Sequence, residues 1–181
     1  LESFLKQYSR KIKLPFTCQI RINEVNEDSI RLLKASNIYA VFFGIESGNE
    51  EIRNKIVNKK VTTQNIYKGA SLLRKYHIPF RTYNILGLPG ETLEDAYSTI
   101  RLNQEIKTNY PWVSMLMPYK GTEIYKYFEE HYEIDSLDAL EWFFPKSKFY
   151  HNKKELVNLH NLFILYVKFP FLKYFIKFLI S

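Results

Sequence analysis

The chain has 181 residues, of which 46% are hydrophobic and 25% charged, a composition that excludes a disordered protein and is typical of one globular domain. Its net charge is +7, but the lysines form no dense basic block, so we do not expect a nucleic-acid partner. The lone cysteine, Cys18, excludes an intrachain disulfide, and no signal peptide is visible, so we expect a cytoplasmic protein.

The first predicted elements alternate between strand and helix. Residues 15–23 begin with proline and are rich in β-forming side chains, which predicts a strand. Asn26 is a helix-capping residue, and Ile30 and Leu33 follow it at helical spacing. Residues 39–46 are an almost continuous apolar run, which is typical of a parallel strand covered on both faces.

Two more helices and a strand follow in the same alternation. Thr62 or Thr63 caps a helix that has an apolar stripe. Residues 79–86 form the third predicted strand and run into the segment Gly-Leu-Pro-Gly-Glu-Thr, a strand-to-helix turn. Thr92 and Asp95 resemble a capping box, so the next helix begins there.

A fourth strand is predicted over residues 112–117, and Thr122 begins another helix. Repeated strand–helix units predict an α/β fold with about four parallel strands, either a doubly wound sheet or part of a barrel. In both architectures ligands bind at the carboxyl ends of the strands, so polar and glycine residues at those ends are the candidate site.

The C-terminal segment has a different character. Residues 133–155 are polar and aromatic with no clear period, and residues 156–181 are apolar, aromatic and studded with lysines. Pro170 interrupts this stretch, and no run of about 18 uncharged apolar residues occurs, so a transmembrane helix is not expected. Two interpretations remain open: helices packed on other parts of the protein, or peripheral membrane contact. We predict an apolar face without a full partner in this chain.

Glu46 is the most unusual residue, because its carboxylate closes an apolar strand. A structural ion pair with Arg21 on the preceding strand is one interpretation, and a ligand clamp is another. A general base in an ordinary barrel enzyme is a third, which would require a second titratable partner.

Four motifs, taken in order, resemble radical SAM proteins, and in particular the group with a cobalamin-binding domain. These motifs are residues 16–23, residues 43–53 with Gly-Ile-Glu-Ser-Gly, residues 83–92 with Gly-Leu-Pro-Gly-Glu-Thr, and residues 118–125. The resemblance implies a partial (β/α)6 TIM-like barrel whose last four strands lie in this chain. It implies that residues 1–130 are the C-terminal part of the core and residues 131–181 a helical extension.

The resemblance also implies cofactors and site residues. Family members cleave S-adenosylmethionine reductively with a [4Fe-4S] cluster, and the cobalamin-binding members are often methyltransferases. The residues that match cofactor-binding positions lie at the strand ends: Gln19, Arg21, Glu46, Ser47, Tyr83, Ile85, Gly87, Met117 and Pro118.

The cluster motif of the family, Cys-x3-Cys-x2-Cys, is absent from this sequence. The resemblance therefore places the cluster ligands and any cobalamin domain in an N-terminal part of the same protein, and we expect this chain alone to be inactive. The substrate is a small molecule or a lipid-like compound that the sequence does not identify. The alternative function is a non-catalytic membrane-associated or interaction module.

Overall fold

The computed structural model describes residues 1–131 and 154–180. Within them, four strands form one sheet in the order β1–β2–β3–β4, and every neighbouring pair is parallel. The strands are β1 (Phe16–Gln19), β2 (Ile38–Glu46), β3 (Phe80–Leu86) and β4 (Tyr110–Met115). The helices are α1 (Glu2–Lys11), α2 (Glu27–Ala35), α3 (Glu50–Lys55), α4 (Thr63–Lys75), α5 (Leu93–Glu105), α6 (Glu123–His131), α7 (Lys154–Lys168) and α8 (Lys173–Ile180).

This arrangement confirms the predicted α/β fold with four parallel strands. The first strand is shorter than predicted, because the chain leaves the sheet after Gln19 and forms a 3-10 turn over Ile22–Glu24. The fourth strand begins at Tyr110 rather than at residue 112, and it includes Pro111. Proline is tolerated there because β4 is an edge strand, so the missing N–H breaks no ladder hydrogen bond on the outer side.

The predicted helix caps are confirmed. Asn26, Thr62 and Thr92 each precede a helix and close a capping box with the residue three positions on. In the last of these, the Asp95 N–H donates to the Thr92 hydroxyl at 3.2 Å and the Thr92 N–H donates to the Asp95 carboxylate at 2.9 Å. Thr122 likewise accepts a backbone N–H in the first turn of α6.

The two faces of the sheet differ in cover. Alternate strand residues, such as Val41, Phe43 and Phe80, are buried against α2 and α4 in one apolar core. At the β4 side, Met115 belongs to a second core, which α5, α7 and α8 complete. The strand residues that alternate with these buried ones point to the opposite face of the sheet. The described helices cover this face only near the strand ends. We call it the open face, and its side chains include Gln19, Phe42, Gly44, Glu46, Arg81, Tyr83, Ile85 and Trp112.

A buried polar network joins β3 to α5 on the helix-covered face. The Thr82 hydroxyl donates to the Asn103 side-chain oxygen at 2.6 Å. The Asn103 amide donates to Asn84 Oδ1 and to the Thr99 carbonyl, both at 2.8 Å. The Asn84 amide in turn donates to the Trp112 carbonyl of β4 at 2.7 Å. Because each group is satisfied by another, the network fixes α5 against two adjacent strands.

The C-terminal helices pack against the β4 side of the sheet. On α7, Leu159 and Phe163 are fully buried, and the Lys168 ammonium donates to the Thr108 carbonyl at 3.1 Å. The prediction of an apolar face without a partner is therefore wrong for α7. It holds for α8, whose outward side chains are aromatic and exposed. None of the described helices has the length and apolar character of a transmembrane span. The predicted irregular stretch 133–155 lies almost entirely outside the described residues, and the division at residue 130 stays a prediction.

Replacement of Asn103 by leucine tests the buried network. The change removes the donor to Asn84 Oδ1 and the acceptor of the Thr82 hydroxyl, which keeps only longer contacts with Thr108 and Asn84, so we expect the free energy of unfolding to fall by about 2–4 kcal/mol. Urea unfolding measures it, and Asn161→Leu on the exposed surface of α7 is the matched control. Equal unfolding midpoints for the two variants would contradict this account of the network.

Candidate functional site

Glu46 ends β2 with a left-handed backbone, at φ 65°. This conformation is rare for residues other than glycine, asparagine and aspartate, and it is a source of local strain that clusters at functional positions. The ladder shifts register here, so that Glu46 rather than Ile45 lies opposite Asn84. The backbone thus turns at the strand end and directs the carboxylate onto the open face.

The Glu46 carboxylate forms an ion pair with Lys59 over Gly44. The Lys59 Nζ to Glu46 Oε1 distance is 2.6 Å, and the Glu46 side chain is 12% exposed against 34% for Lys59. A Cβ atom at position 44 would lie 1.9 Å from Glu46 Oε1 and 2.5 Å from Lys59 Nζ. A side chain at position 44 would therefore displace the ion pair from its present arrangement. Lys59 was not identified from the sequence, because the loop between α3 and α4 gives no periodic signal.

Arg53 fixes the turn that follows Glu46. Its side chain is fully buried, and its guanidinium donates to the carbonyls of Ser47 and Val61, both at 3.0 Å, and of Gly48 at 3.4 Å. Burial lowers the pKa of Arg53, while the Glu50 carboxylate 3.9 Å away raises it. The group remains a cation under all ordinary conditions. The sequence motif includes Arg53, but nothing in the sequence showed that it is buried.

The same turn is anchored to α5. The Gly48 N–H donates to the Thr99 hydroxyl at 2.7 Å, and a Cβ at Gly48 would lie 2.3 Å from backbone atoms of that helix. The Asn49 amide donates to Asp95 at 2.7 Å. Burial raises the pKa of Asp95, but hydrogen bonds from Thr92 and Asn49 outweigh it and hold that pKa below its ordinary value. Asp95 therefore serves the turn as an anion.

The turn after β3 is closed by Glu91. Gly87 and Gly90 have φ of 84° and 75°, the conformations that favour glycine. The Gly87 N–H donates to Glu91 Oε2 at 2.5 Å, and the Glu91 N–H donates to the Leu88 carbonyl at 2.9 Å. The carboxylate of Glu91 is buried, and it holds the Gly87 amide in place at the strand end. No pattern in the sequence indicated this role for Glu91.

The structure separates Arg21 from Glu46. The Arg21 guanidinium pairs with Glu24 at 3.0 Å in the turn after β1, and its side chain is largely exposed. The ion pair between Arg21 and Glu46 that the sequence suggested is therefore wrong, since Glu46 pairs with Lys59 instead. Gln19, on the open face of β1, is exposed.

The remaining predicted residues fall into two environments. Tyr83 lies on the open face edge-to-face with Phe42, at a ring distance of 6.3 Å, and Ile85 packs beside a small apolar cluster at the strand ends. In contrast, Ser47 is fully buried, and its hydroxyl accepts the Asn49 N–H at 3.2 Å. Met117 is half-buried and Pro118 buried in the segment after β4.

Arg81 occupies the amino-terminal half of the open face. Its guanidinium carbon lies 4.9 Å from the Phe42 ring centre and 5.7 Å from that of Trp112. Both distances are within the range of cation–π attraction. Within the part of the chain that the structure describes, no carboxylate forms an ion pair with Arg81. The open face therefore combines a cation with aromatic rings below the polar strand ends.

Cys18 lies on the helix-covered side of β1 and packs against the core. Burial raises the pKa of its thiol, which opposes the thiolate form that binds metals. Among residues 1–131 and 154–180, no group of three or more histidine, cysteine, aspartate or glutamate residues could hold a metal ion. A cavity of about 420 Å³ lies beside α5 and α7, but none of its lining residues comes from a strand end.

Comparison with known proteins assigns this fold to a family. A sequence model described as the Radical SAM superfamily matches residues 2–102, more than half of the chain. The chain belongs to the radical SAM superfamily. A similar relative is named as an uncharacterised methyltransferase of Pyrococcus horikoshii and is 27% identical over 116 residues, which cover 64% of this chain and 25% of the relative. The chain thus spans about a quarter of that relative's length.

Two solved radical SAM structures show the same fold. Coproporphyrinogen III oxidase of Escherichia coli aligns with a TM-score of 0.61 at 17% identity, over 95% of this chain and 36% of the enzyme. The methyltransferase TsrM of Kitasatospora setae, solved with cobalamin and a [4Fe-4S] cluster bound, aligns with a TM-score of 0.53 at 19% identity. That alignment covers 63% of this chain and 24% of TsrM. The four-stranded sheet is therefore part of a radical SAM barrel.

Replacement of Arg53 by methionine tests its role in the strand-end turn. The change leaves the Ser47 carbonyl without its Arg53 donor and the Val61 carbonyl with only the Asn54 amide at 3.3 Å, so we expect a loss of about 2–4 kcal/mol in the free energy of unfolding. The control is Lys55→Met on the exposed side of the same helix, for which we expect less than about 1 kcal/mol. Urea unfolding of both variants measures the difference, and similar losses would refute the assignment.

Proposed function

We propose that this chain provides the S-adenosylmethionine-binding strand ends of a radical SAM enzyme. The observation that carries the proposal is the strained, largely buried Glu46, held on the open face beside Lys59 at the carboxyl end of β2. A carboxylate in this position can accept hydrogen bonds from ribose hydroxyls or from an ammonium group. The ion pair with Lys59 orients it without a ligand.

The neighbouring strand supports the same proposal. The Gly87 turn presents bare backbone at the end of β3, where a flat ring can approach closely. Ile85 and Tyr83 line the open face beside it with apolar and aromatic surface. Convergent polar groups next to an apolar surface are the usual composition of a small-molecule site. Ser47 is proposed to contribute through its backbone, since its side chain is buried.

The residues of this chain do not fit a [4Fe-4S] cluster, because such a cluster requires several cysteine thiolates and Cys18 is alone. We place the cluster ligands in a part of the polypeptide upstream of residue 1. In radical SAM enzymes the reduced cluster cleaves S-adenosylmethionine to a 5′-deoxyadenosyl radical. The cytoplasm, where thiols stay reduced, suits such a cluster.

Methyl transfer that depends on cobalamin is the reaction we favour within the family. The support is the similarity to a protein named as a methyltransferase and to TsrM, whose structure contains cobalamin. Catalysis would then require both the upstream cluster motif and a cobalamin domain. The substrate we expect is a small or lipid-like molecule that lies on the open face near the carboxyl ends of the strands.

Replacement of Glu46 by glutamine in the full-length protein tests the clamp. Loss of one charge-assisted hydrogen bond is worth about 1.5–3 kcal/mol, so we expect the affinity for S-adenosylmethionine to fall about ten- to a hundredfold. Isothermal titration calorimetry measures the affinity, and thermal unfolding gives the stability. Glu51→Gln, an exposed carboxylate paired with Lys55, is the control and should bind normally.

Lys59→Met separates the clamp from a structural ion pair. If Glu46 only stabilises the fold, both variants lower the thermal midpoint and neither changes the affinity. If Glu46 binds the cofactor, Lys59→Met retains the carboxylate and weakens binding less than Glu46→Gln does. Unchanged affinity in Glu46→Gln would remove the basis of the proposed function.

The cluster assignment has a separate test. We expect residues 1–181, reconstituted anaerobically with iron and sulfide, to show no absorption or paramagnetic signal of a [4Fe-4S] cluster, because one thiol cannot hold it. The full-length protein treated in the same way is the positive control. Stoichiometric cluster in the monomeric 181-residue chain would contradict the placement of the ligands upstream.

A further inference from the structure

The Arg81 guanidinium is held on the open face by aromatic rings. Arg81 stands on β3, and the rings of Phe42 on β2 and Trp112 on β4 have their centres 4.9 and 5.7 Å from the guanidinium carbon. Cation–π attraction towards both neighbouring strands restricts this long side chain to few conformations. The cation is therefore oriented before any ligand is present.

The N–H groups of Arg81 have no acceptor in the described part of the chain. A guanidinium carries five N–H donors in a planar fork, and aromatic rings offer them no strong acceptor. Among residues 1–131 and 154–180, this guanidinium takes part in no ion pair or hydrogen bond, although the residue is partly buried. Such a cation attracts an oxyanion, and its fork matches the two oxygens of a carboxylate.

Two tyrosines lie beside Arg81 at the amino-terminal edge of the sheet. Tyr110 is directly opposite Arg81 in the β3–β4 ladder, and its hydroxyl is hydrogen-bonded to Tyr39, near the start of β2. This hydrogen bond raises the pKa of Tyr110, and the nearby Arg81 cation opposes the rise. A pair of phenols uses one O–H group for its own hydrogen bond, so the second can donate to a ligand beside the guanidinium.

Exposed aromatic surface surrounds these polar groups. Tyr39, Tyr110 and Trp112 are 60%, 43% and 39% exposed, whereas residues of this size contribute most to stability when they are buried. Their rings offer flat apolar contact area next to the N–H donors of Arg81. A few polar groups set in aromatic surface are the usual composition of a small-molecule site.

This cluster is separate from the position proposed for the cofactor. Arg81 precedes Asn84, the residue opposite Glu46, by three positions on β3, which corresponds to about 10 Å along the strand. Both positions lie on the open face, but they share no side chain. A ligand at the amino-terminal half of the face therefore needs no ligand at the strand ends.

We propose that Arg81, Tyr110 and Trp112 form a binding site for the carboxylate of a small aromatic acid. The two carboxylate oxygens accept N–H groups of Arg81, a tyrosine hydroxyl donates to one of them, and the aromatic body of the ligand packs on the Trp112 ring. The inference goes beyond the proposed function, because it assigns none of these residues to S-adenosylmethionine.

The test is isothermal titration calorimetry of the full-length protein with three probes. Naphthoate carries both the carboxylate and the aromatic body, naphthamide carries the aromatic body without the charge, and inorganic phosphate carries charge without a body. We expect naphthoate to bind, and each of the other two probes to bind at least about tenfold more weakly, since each lacks one of the two contacts.

Variants of Arg81 identify the site. Arg81→Met should weaken naphthoate binding about tenfold or more, because it removes the charge and the N–H fork. Arg81→Lys keeps the charge but loses the fork, so we expect a smaller loss, and this variant serves if Arg81→Met fails to fold. Arg74→Met removes an exposed arginine from α4 on the helix-covered side and is the matched control, which should bind naphthoate like the wild type.

The proposal is overturned if naphthoate does not bind, if naphthamide or phosphate binds as tightly, or if the Arg81 variants bind like the wild type. Absent binding together with a lowered thermal midpoint of Arg81→Met would show that a carboxylate of the protein itself pairs with Arg81. Glu46→Gln should bind naphthoate normally, which distinguishes a failure of this site from a failure of the proposed function.

Discussion

The candidate site depends on one buried cation. Arg53 is surrounded by backbone carbonyls of the turn after β2 and of the loop before α4, and these acceptors replace the water that the guanidinium loses. Because the Ser47 and Gly48 carbonyls belong to the turn after β2 and the Val61 carbonyl to the loop before α4, the guanidinium joins two segments that share no regular structure. This linkage keeps Glu46 in a left-handed backbone conformation, a strain of about 1–3 kcal/mol that the surrounding contacts must offset.

The rigidity behind the strand ends comes from the other face of the sheet. Thr82, Asn84 and Asn103 satisfy one another in the interior, and Asn84 also reaches the backbone of β4. A satisfied polar network specifies one packing of α5 on the sheet, whereas an apolar interface would permit several. The residues of the open face thus project from a support that does not need a ligand to become ordered.

The sequence predicted the regular elements more accurately than the site. Capping residues such as Thr92, and the apolar run that became β2, are local signals, so the alternation of strands and helices and the parallel pairing followed from them, whereas a barrel was implied only by the resemblance. The partner of Glu46 did not, because a left-handed backbone directs its carboxylate towards Lys59 in an irregular loop. The burial of Arg53 could not be predicted either, since an arginine in a short, charged helix normally indicates an exposed surface.

The first strand, β1, carries different side chains on its two faces. The one thiol, Cys18, lies on the helix-covered face, away from the open face where we propose the cofactor binds, and burial raises its pKa. The other face of β1 presents Thr17 and Gln19, which are exposed, on an edge strand of only four residues. A short strand with an unpaired edge gains most from a further strand, because its free N–H and C=O groups then acquire partners. A further strand paired with β1 would therefore stabilise this edge of the sheet.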